Sequence, residues 1–349
     1  MMLKRTVETA APFPAGHPKV AYGKIGVLLV NLGTPEATTY WPMRRYLKEF
    51  LWDRRVIDVP RPIWWFILNC IILTTRPTKS GEAYEQIWNH ELDESPLKTI
   101  TRSQAEKVAG KLAVHPGIEV DWAMRYGLPS IKDKIEHLKE AGCERVLLFP
   151  LYPQYSAATT ASVQDKTFDA LKEMRWQPAI RTVPAFHDHP VYIDALVRSM
   201  QSHLAQLDWT PDLVLTSYHG LPKRYLELGD PYHCQCVKTT RLMREKLGWE
   251  KDKLQVVFQS RFGSEEWLKP YAEDTVRELA QNGTKNLAMI MPAFISDCVE
   301  TLEEIAIGLK EVFEENGGEN FAAIPCLNDS EEGVEVLASL VESELSGWL

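Results

Sequence analysis

Short apolar runs recur along this chain with longer stretches of helical period between them, and that alternation is the strongest constraint on its fold. A strand buried on both faces reads as a near-continuous apolar run, and parallel strands need a crossover, usually a helix, between one and the next. Eight such runs stand out, at residues 25–31, 118–124, 145–150, 179–183, 213–217, 254–259, 286–291 and 321–325. They fit an α/β protein of two Rossmann-like domains, each a four-stranded parallel sheet flanked by helices. The length of 349 residues agrees, because a single core stops growing well below it and domains of about 150 residues are expected. The divisions fall as a loose leader over 1–23, a first α/β domain over 24–182, a second over 183–328, and a last helix over 329–349 that lies across the junction.

Composition removes several functional classes. Hydrophobic residues at 45% and charged residues at 25% are ordinary for a globular protein. The formal charge of −9, with no Lys/Arg block, argues against a nucleic-acid partner, which needs concentrated basic surface. Six cysteines scattered through the chain do not form a disulfide framework and point to a reducing cytoplasm. No GxGxxG or P-loop pattern indicates a nucleotide cofactor.

Ligands of open parallel sheets bind beyond the carboxyl ends of the strands. This chain places its unusual residues there. Asn31–Pro35 follows the first run, Arg125 and Tyr126 the second, Tyr152–Ser156 the third, His219 the fifth, Ser260 and Arg261 the sixth, and an acidic stretch from Asp297 the seventh. At about 100° per residue on a helix, Asp297, Glu300 and Glu304 share one face and span ~10 Å, while Leu302, Ile305, Leu309, Val312 and Phe313 turn to another. A solvated acidic face near a helix N-terminus has an ordinary electrostatic explanation; its position at a strand's carboxyl end favours a row that passes metal or protons. His219, between Tyr218 and the permissive Gly220, is suited either to ligate a first-row metal or to accept a proton. His233, Cys234 and Cys236 lack the partners of a four-ligand site and read as reduced thiols beside a histidine. Residues 60–75, with Trp64 and Trp65, are too short to span a bilayer, which takes ~20 apolar residues. They read as a buried helix, or as an aromatic lip for a large flat ligand or a membrane interface.

These segments together resemble the ferrochelatase family over nearly all of residues 24–349. The resemblance rests on Val30–Pro35, Arg125-Tyr126, Tyr152–Ser156, Ser217–Pro222, Gly229–Tyr232, Gln259–Arg261 with Trp267-Leu268, and Asp297–Glu304, in that order. It implies insertion of Fe(2+) into protoporphyrin IX with release of two protons, giving haem b, the last step of haem synthesis. It further implies His219 and Glu300 as the metal and proton-handling pair, Asp297 and Glu304 as an acidic relay, and Arg125, Tyr126, Tyr155, Trp64 and Trp65 as porphyrin contacts. Whether the histidine first binds metal or first strips a proton stays open. Iron is then a substrate, with no permanently bound cofactor. Relatives that hold a [2Fe–2S] cluster use a cysteine just after the Tyr-Ser pair and a cysteine-rich tail, whereas this chain has Ala157 and ends at Leu349, so no such cluster is expected. The expected setting is the cytoplasm, with peripheral contact at the inner membrane surface. A non-catalytic porphyrin carrier would need the lip but not the acidic row, and a cobalt or nickel tetrapyrrole chelatase would share the fold.

Overall fold

The computed structural model describes residue 17 and residues 20–349, so the expected leader over 1–23 lies for the most part outside the described residues. Strands β1 (Lys24–Gly33), β2 (Ile118–Tyr126), β3 (Cys143–Pro150) and β4 (Ala179–Thr182) form one sheet in the order β2-β1-β3-β4. Strands β5 (Leu213–His219), β6 (Leu254–Gln259), β7 (Asn286–Ile290) and β8 (Asn320–Ile324) form a second in the order β6-β5-β7-β8. Every pairing between named strands is parallel, so the two halves share one topology. The expected two-sheet α/β architecture is the one present.

Two strands run further than their apolar residues suggest. The ladder of β1 and β2 continues to the pair Gly33 and Tyr126, and that of β5 and β6 to His219 and Gln259. Arg125, Tyr126 and His219 are therefore terminal strand residues with ladder-fixed backbones, where the sequence suggested loops. The first extension depends on Gly33, at φ +113°, because a Cβ there would lie 1.8 Å from the carbonyl oxygen of Tyr126.

Alternation along β1 joins the halves. Val27 and Leu29 pack in one cluster with Val214 of β5 and Ala288 and Ile290 of β7, whereas Leu28 and Val30 face Ile131, Ile135 and Val163 on the other side. The helix Glu331–Glu344 adds Val334, Leu337 and Val341 to the shared cluster. It contacts both the helix Pro96–Leu112 of the first half and Pro190–Leu204 of the second. Lys111 pairs with Glu335 at 2.8 Å, Ser103 donates to Asp329 at 2.6 Å, and the Gln104 amide donates to the Asn328 carbonyl at 2.8 Å.

A carboxylate pins the first half's loops against β2. Asp53, after the helix Tyr40–Trp52, accepts from the Arg125 guanidinium at 2.5 Å, Tyr126 Oη at 2.8 Å, Ser162 Oγ at 2.5 Å and the Arg55 backbone N–H at 2.7 Å. The Arg125 and Asp53 side chains are only 11% and 8% exposed. Burial by itself pushes the Asp53 carboxyl up. The hydrogen bonds from Ser162 and the Arg55 backbone, with the Arg125 charge, more than reverse this and hold it below the ordinary value. A carboxyl depressed in the folded state stabilises above its unfolded titration range, and that contribution is lost as pH falls through the folded value. Asp53→Asn is therefore expected to cost about 3–5 kcal/mol at pH 7, since it leaves Arg125 buried without a counter-charge. The gap from the parent should narrow as pH drops below ~4. Urea unfolding at a series of pH values measures this, and a gap that is the same at every pH contradicts it.

Candidate active site

The chemistry-bearing residues collect at the carboxyl ends of β5, β6 and β7, the edge at which a doubly wound sheet binds ligands. The corresponding end of β1 meets them across the domain junction, where the Asn31 amide donates to Thr101 Oγ1 at 3.1 Å and to Ser296 Oγ at 3.4 Å.

His219, half-buried, closes β5. Its Nδ1 lies 2.7 Å from the Gly220 carbonyl oxygen. A carbonyl only accepts, so Nδ1 carries the hydrogen and the neutral ring keeps its lone pair on Nε2. Gly220 allows the backbone to press in here, because a Cβ would sit 2.6 Å from the Gln259 carbonyl oxygen and 3.0 Å from the Trp267 ring.

The acidic stretch departs from the regular helix that its spacing suggests. Cys298 is an extended N-cap at φ −149°, the helix proper covers only Val299–Leu302, and Glu304–Leu309 forms a π-helical turn. Asp297 thus precedes the helix and does not extend a row with Glu300 and Glu304. Its carboxylate accepts from Thr301 Oγ1 at 2.8 Å and the Asn328 amide at 2.6 Å, and it is 5% exposed. Glu304 accepts from the Ser260 backbone N–H at 2.6 Å, Ser260 Oγ at 2.5 Å and the Gln259 amide at 3.3 Å. Glu303 is half-buried, and burial followed by the charges of Glu304 and Glu300 holds its carboxyl above the ordinary value. Ile305, Leu309 and Phe313 are buried, as the apolar face required.

Glu300 reaches toward the first half. Burial foremost raises the Tyr46 and Tyr84 hydroxyls far above their ordinary values; Tyr84 and then the Glu300 charge add to it at Tyr46, and the Glu300 charge adds to it at Tyr84. Tyr152 is raised for similar reasons, burial first, and its hydroxyl is buried without a hydrogen-bond partner. A buried phenol left unpaired asks for a role. Tyr46 and Tyr84 escaped the sequence reading because the helical spacing of Tyr46 with Met43 and Leu47, and of Tyr84 with Leu73, Pro77 and Gly81, looks like packing, and they do belong to a core cluster.

The expected porphyrin contacts separate into different environments. Tyr126 is fully buried and Arg125 is paired to Asp53, so both brace the wall behind the tyrosines. Trp64 turns inward, 6% exposed, with its indole N–H donating to the Leu51 carbonyl at 2.7 Å, while Trp65 is 54% exposed beside exposed Ile63, Phe66 and Ile71. The segment thus has one buried face and one exposed apolar face. Arg76, on the helix that follows, stacks over Phe262 at 4.5 Å and ties the lip to the loop after β6. Tyr155 lines a cavity of about 650 Å³ with Arg54, Arg55, Tyr225 and Asp230, and a second cavity of about 410 Å³ lies beside Thr34, Tyr46 and Gly127. Neither reaches His219 or Glu300. Among the described residues no three His, Cys, Asp or Glu side chains converge as metal ligands. Cys234 is exposed and Cys236 buried, both as free thiols. No helix of the described residues is long and apolar enough to cross a membrane.

Comparison with known proteins bears on the fold and the family. In the solved structures, the Bacillus subtilis protein described as SirB with Fe3+ superposes with a TM-score of 0.57 at 9% identity, covering 93% of this chain and 98% of that one, which shows a shared fold. In sequence, the chain is 62% identical over 336 residues to the ferrochelatase of Allorhizobium ampelinum (strain S4), covering 96% of this chain and 98% of the relative. It is 63% identical over 333 residues to that of Rhizobium meliloti (strain 1021), covering 95% and 98%. The ferrochelatase family profile matches residues 24–345, and the chain belongs to the ferrochelatase family.

Proposed function

We propose that iron insertion into protoporphyrin, the reaction that family membership gives this chain, is carried out by His219 and Glu300. The macrocycle reaches the reaction with two inner N–H groups and gives both protons up as Fe(2+) takes their place, yielding haem b. A proton acceptor of fixed direction is the first requirement. The observation that carries the assignment is the Nδ1 contact to the Gly220 carbonyl, which leaves Nε2 as the free lone pair of a ring held at a strand end. The surrounding phenols do not compete, because their raised values keep them protonated at neutral pH. Glu300 supplies negative charge for the incoming cation and for the imidazolium. Remote apolar contacts at the lip bend the ring so that its inner lone pairs leave the plane, a strain of about 1–5 kcal/mol drawn from binding.

A macrocycle enters in this reading as the lip and the tyrosine wall part, with the Arg76–Phe262 stack as the contact that opens. Iron is a substrate in this reading, and Ala157 offers a methyl group where cluster-bearing relatives have a thiolate. The exposed Ile63, Trp65, Phe66 and Ile71 rest at the membrane interface, which lets a cytoplasmic enzyme collect an insoluble macrocycle.

His219→Ala is expected to lower turnover by about 10²–10⁴-fold, the range of a lost acid–base group. Porphyrin affinity, followed by tryptophan quenching, should change little; near-parental turnover removes His219 from the mechanism. In the parent protein, loss of protoporphyrin fluorescence on adding Fe(II) should continue through many turnovers, whereas a loss that stops at one equivalent would indicate a carrier. Trp65→Asp should reduce cosedimentation with anionic lipid vesicles by several-fold. Unchanged cosedimentation contradicts the membrane role.

A further inference from the structure

We infer that Gln259 and Ser260, at the carboxyl end of β6, are positioning residues that set Glu300 in register with His219. Four hydrogen bonds meet on Gln259. Its backbone carbonyl accepts from Gly220 N–H at 2.8 Å, and its residue pairs with His219 in the ladder. Its side-chain oxygen accepts from Ser217 Oγ, two residues before His219, at 2.8 Å. Its amide nitrogen donates to the Glu300 carbonyl at 2.7 Å and to the Glu304 carboxylate at 3.3 Å. One buried side chain, 3% exposed, therefore bridges the strand that ends in the imidazole and the turn that carries the acid.

Ser260 completes the clamp from a backbone conformation that ordinary residues avoid. At φ +64° its N–H and hydroxyl both point at Glu304. Left-handed backbone at a non-glycine residue is uncommon and is held only where its surroundings fix it. The turn that it grips needs such a hold, because the helix at Glu300 is a single turn long and passes at once into π geometry, with few backbone bonds of its own to fix the direction of the Glu300 side chain. Removing the donors frees that direction.

The inference rests on the assignment of His219 and Glu300, and the test separates the two. In Gln259→Met, close in length but without hydrogen bonds, kcat should fall tenfold or more and the KM for Fe(II) should rise, with the porphyrin dissociation constant within twofold of the parent. Ser260→Gly, which relieves the backbone conformation and removes only the hydroxyl, should fold as well as the parent and lose about three- to tenfold in kcat with the same unchanged porphyrin binding. A folded Gln259→Met with kcat within twofold of the parent overturns the clamp, as does a loss of porphyrin affinity in step with kcat. Glu300→Gln in the same assay is the control on the underlying site. If it is inactive while Gln259→Met is unimpaired, the clamp alone fails; if it is unimpaired, site and clamp fail together.

Discussion

The hydrogen bonds that extend the β5–β6 ladder to its last residue fix the backbone of His219, on which the proposed chemistry depends. A parallel strand that ended at Ser217 would leave His219 on a loop with a ring free to turn. Instead the ladder carries His219 beside Gln259, Gly220 N–H closes onto the Gln259 carbonyl, and the ring is fixed through Nδ1. Strand pairing thus delivers a side chain with a defined tautomer and direction, which in the proposed reaction is a form of preorganisation.

The acidic partner is held differently. Glu300 stands on one helical turn between an extended N-cap and a π turn, and its neighbours are strapped down by polar contacts: Asp297 to Thr301 and Asn328, and Glu304 to Ser260 and Gln259. Of the three carboxylates expected to form a row, Asp297 and Glu304 accept hydrogen bonds that anchor the turn, while the Glu300 charge bears on the tyrosines of the first half. The shared core of Val27, Leu29, Val214 and Ala288, with the helix Glu331–Glu344, keeps the two halves close enough for that arrangement.

Strand positions were legible in the sequence because doubly buried parallel strands leave continuous apolar runs, and each of the eight runs became a strand. His219, Glu300 and Glu304 could be singled out from polar chemistry placed just after such runs. The π turn could not be foreseen, since apolar spacing at Ile305, Leu309 and Phe313 satisfies an α-helix equally well and the deviation follows from tertiary hydrogen bonds at Glu304. Nor could the opposite fates of Trp64 and Trp65, which depend on how the segment packs back on the preceding helix, where the Leu51 carbonyl accepts from Trp64. Tyr46 and Tyr84 were hidden for a simpler reason: a phenol in an apolar stripe gives no sign of which end will meet a carboxylate.

The most direct test is a crystal structure of this protein with protoporphyrin bound. The account predicts a macrocycle between the tyrosine wall and the β5–β7 edge, with His219 Nε2 and the Glu300 carboxylate both directed at its inner nitrogens. A macrocycle seated in either outlying cavity, with those two side chains out of reach of its centre, would contradict it.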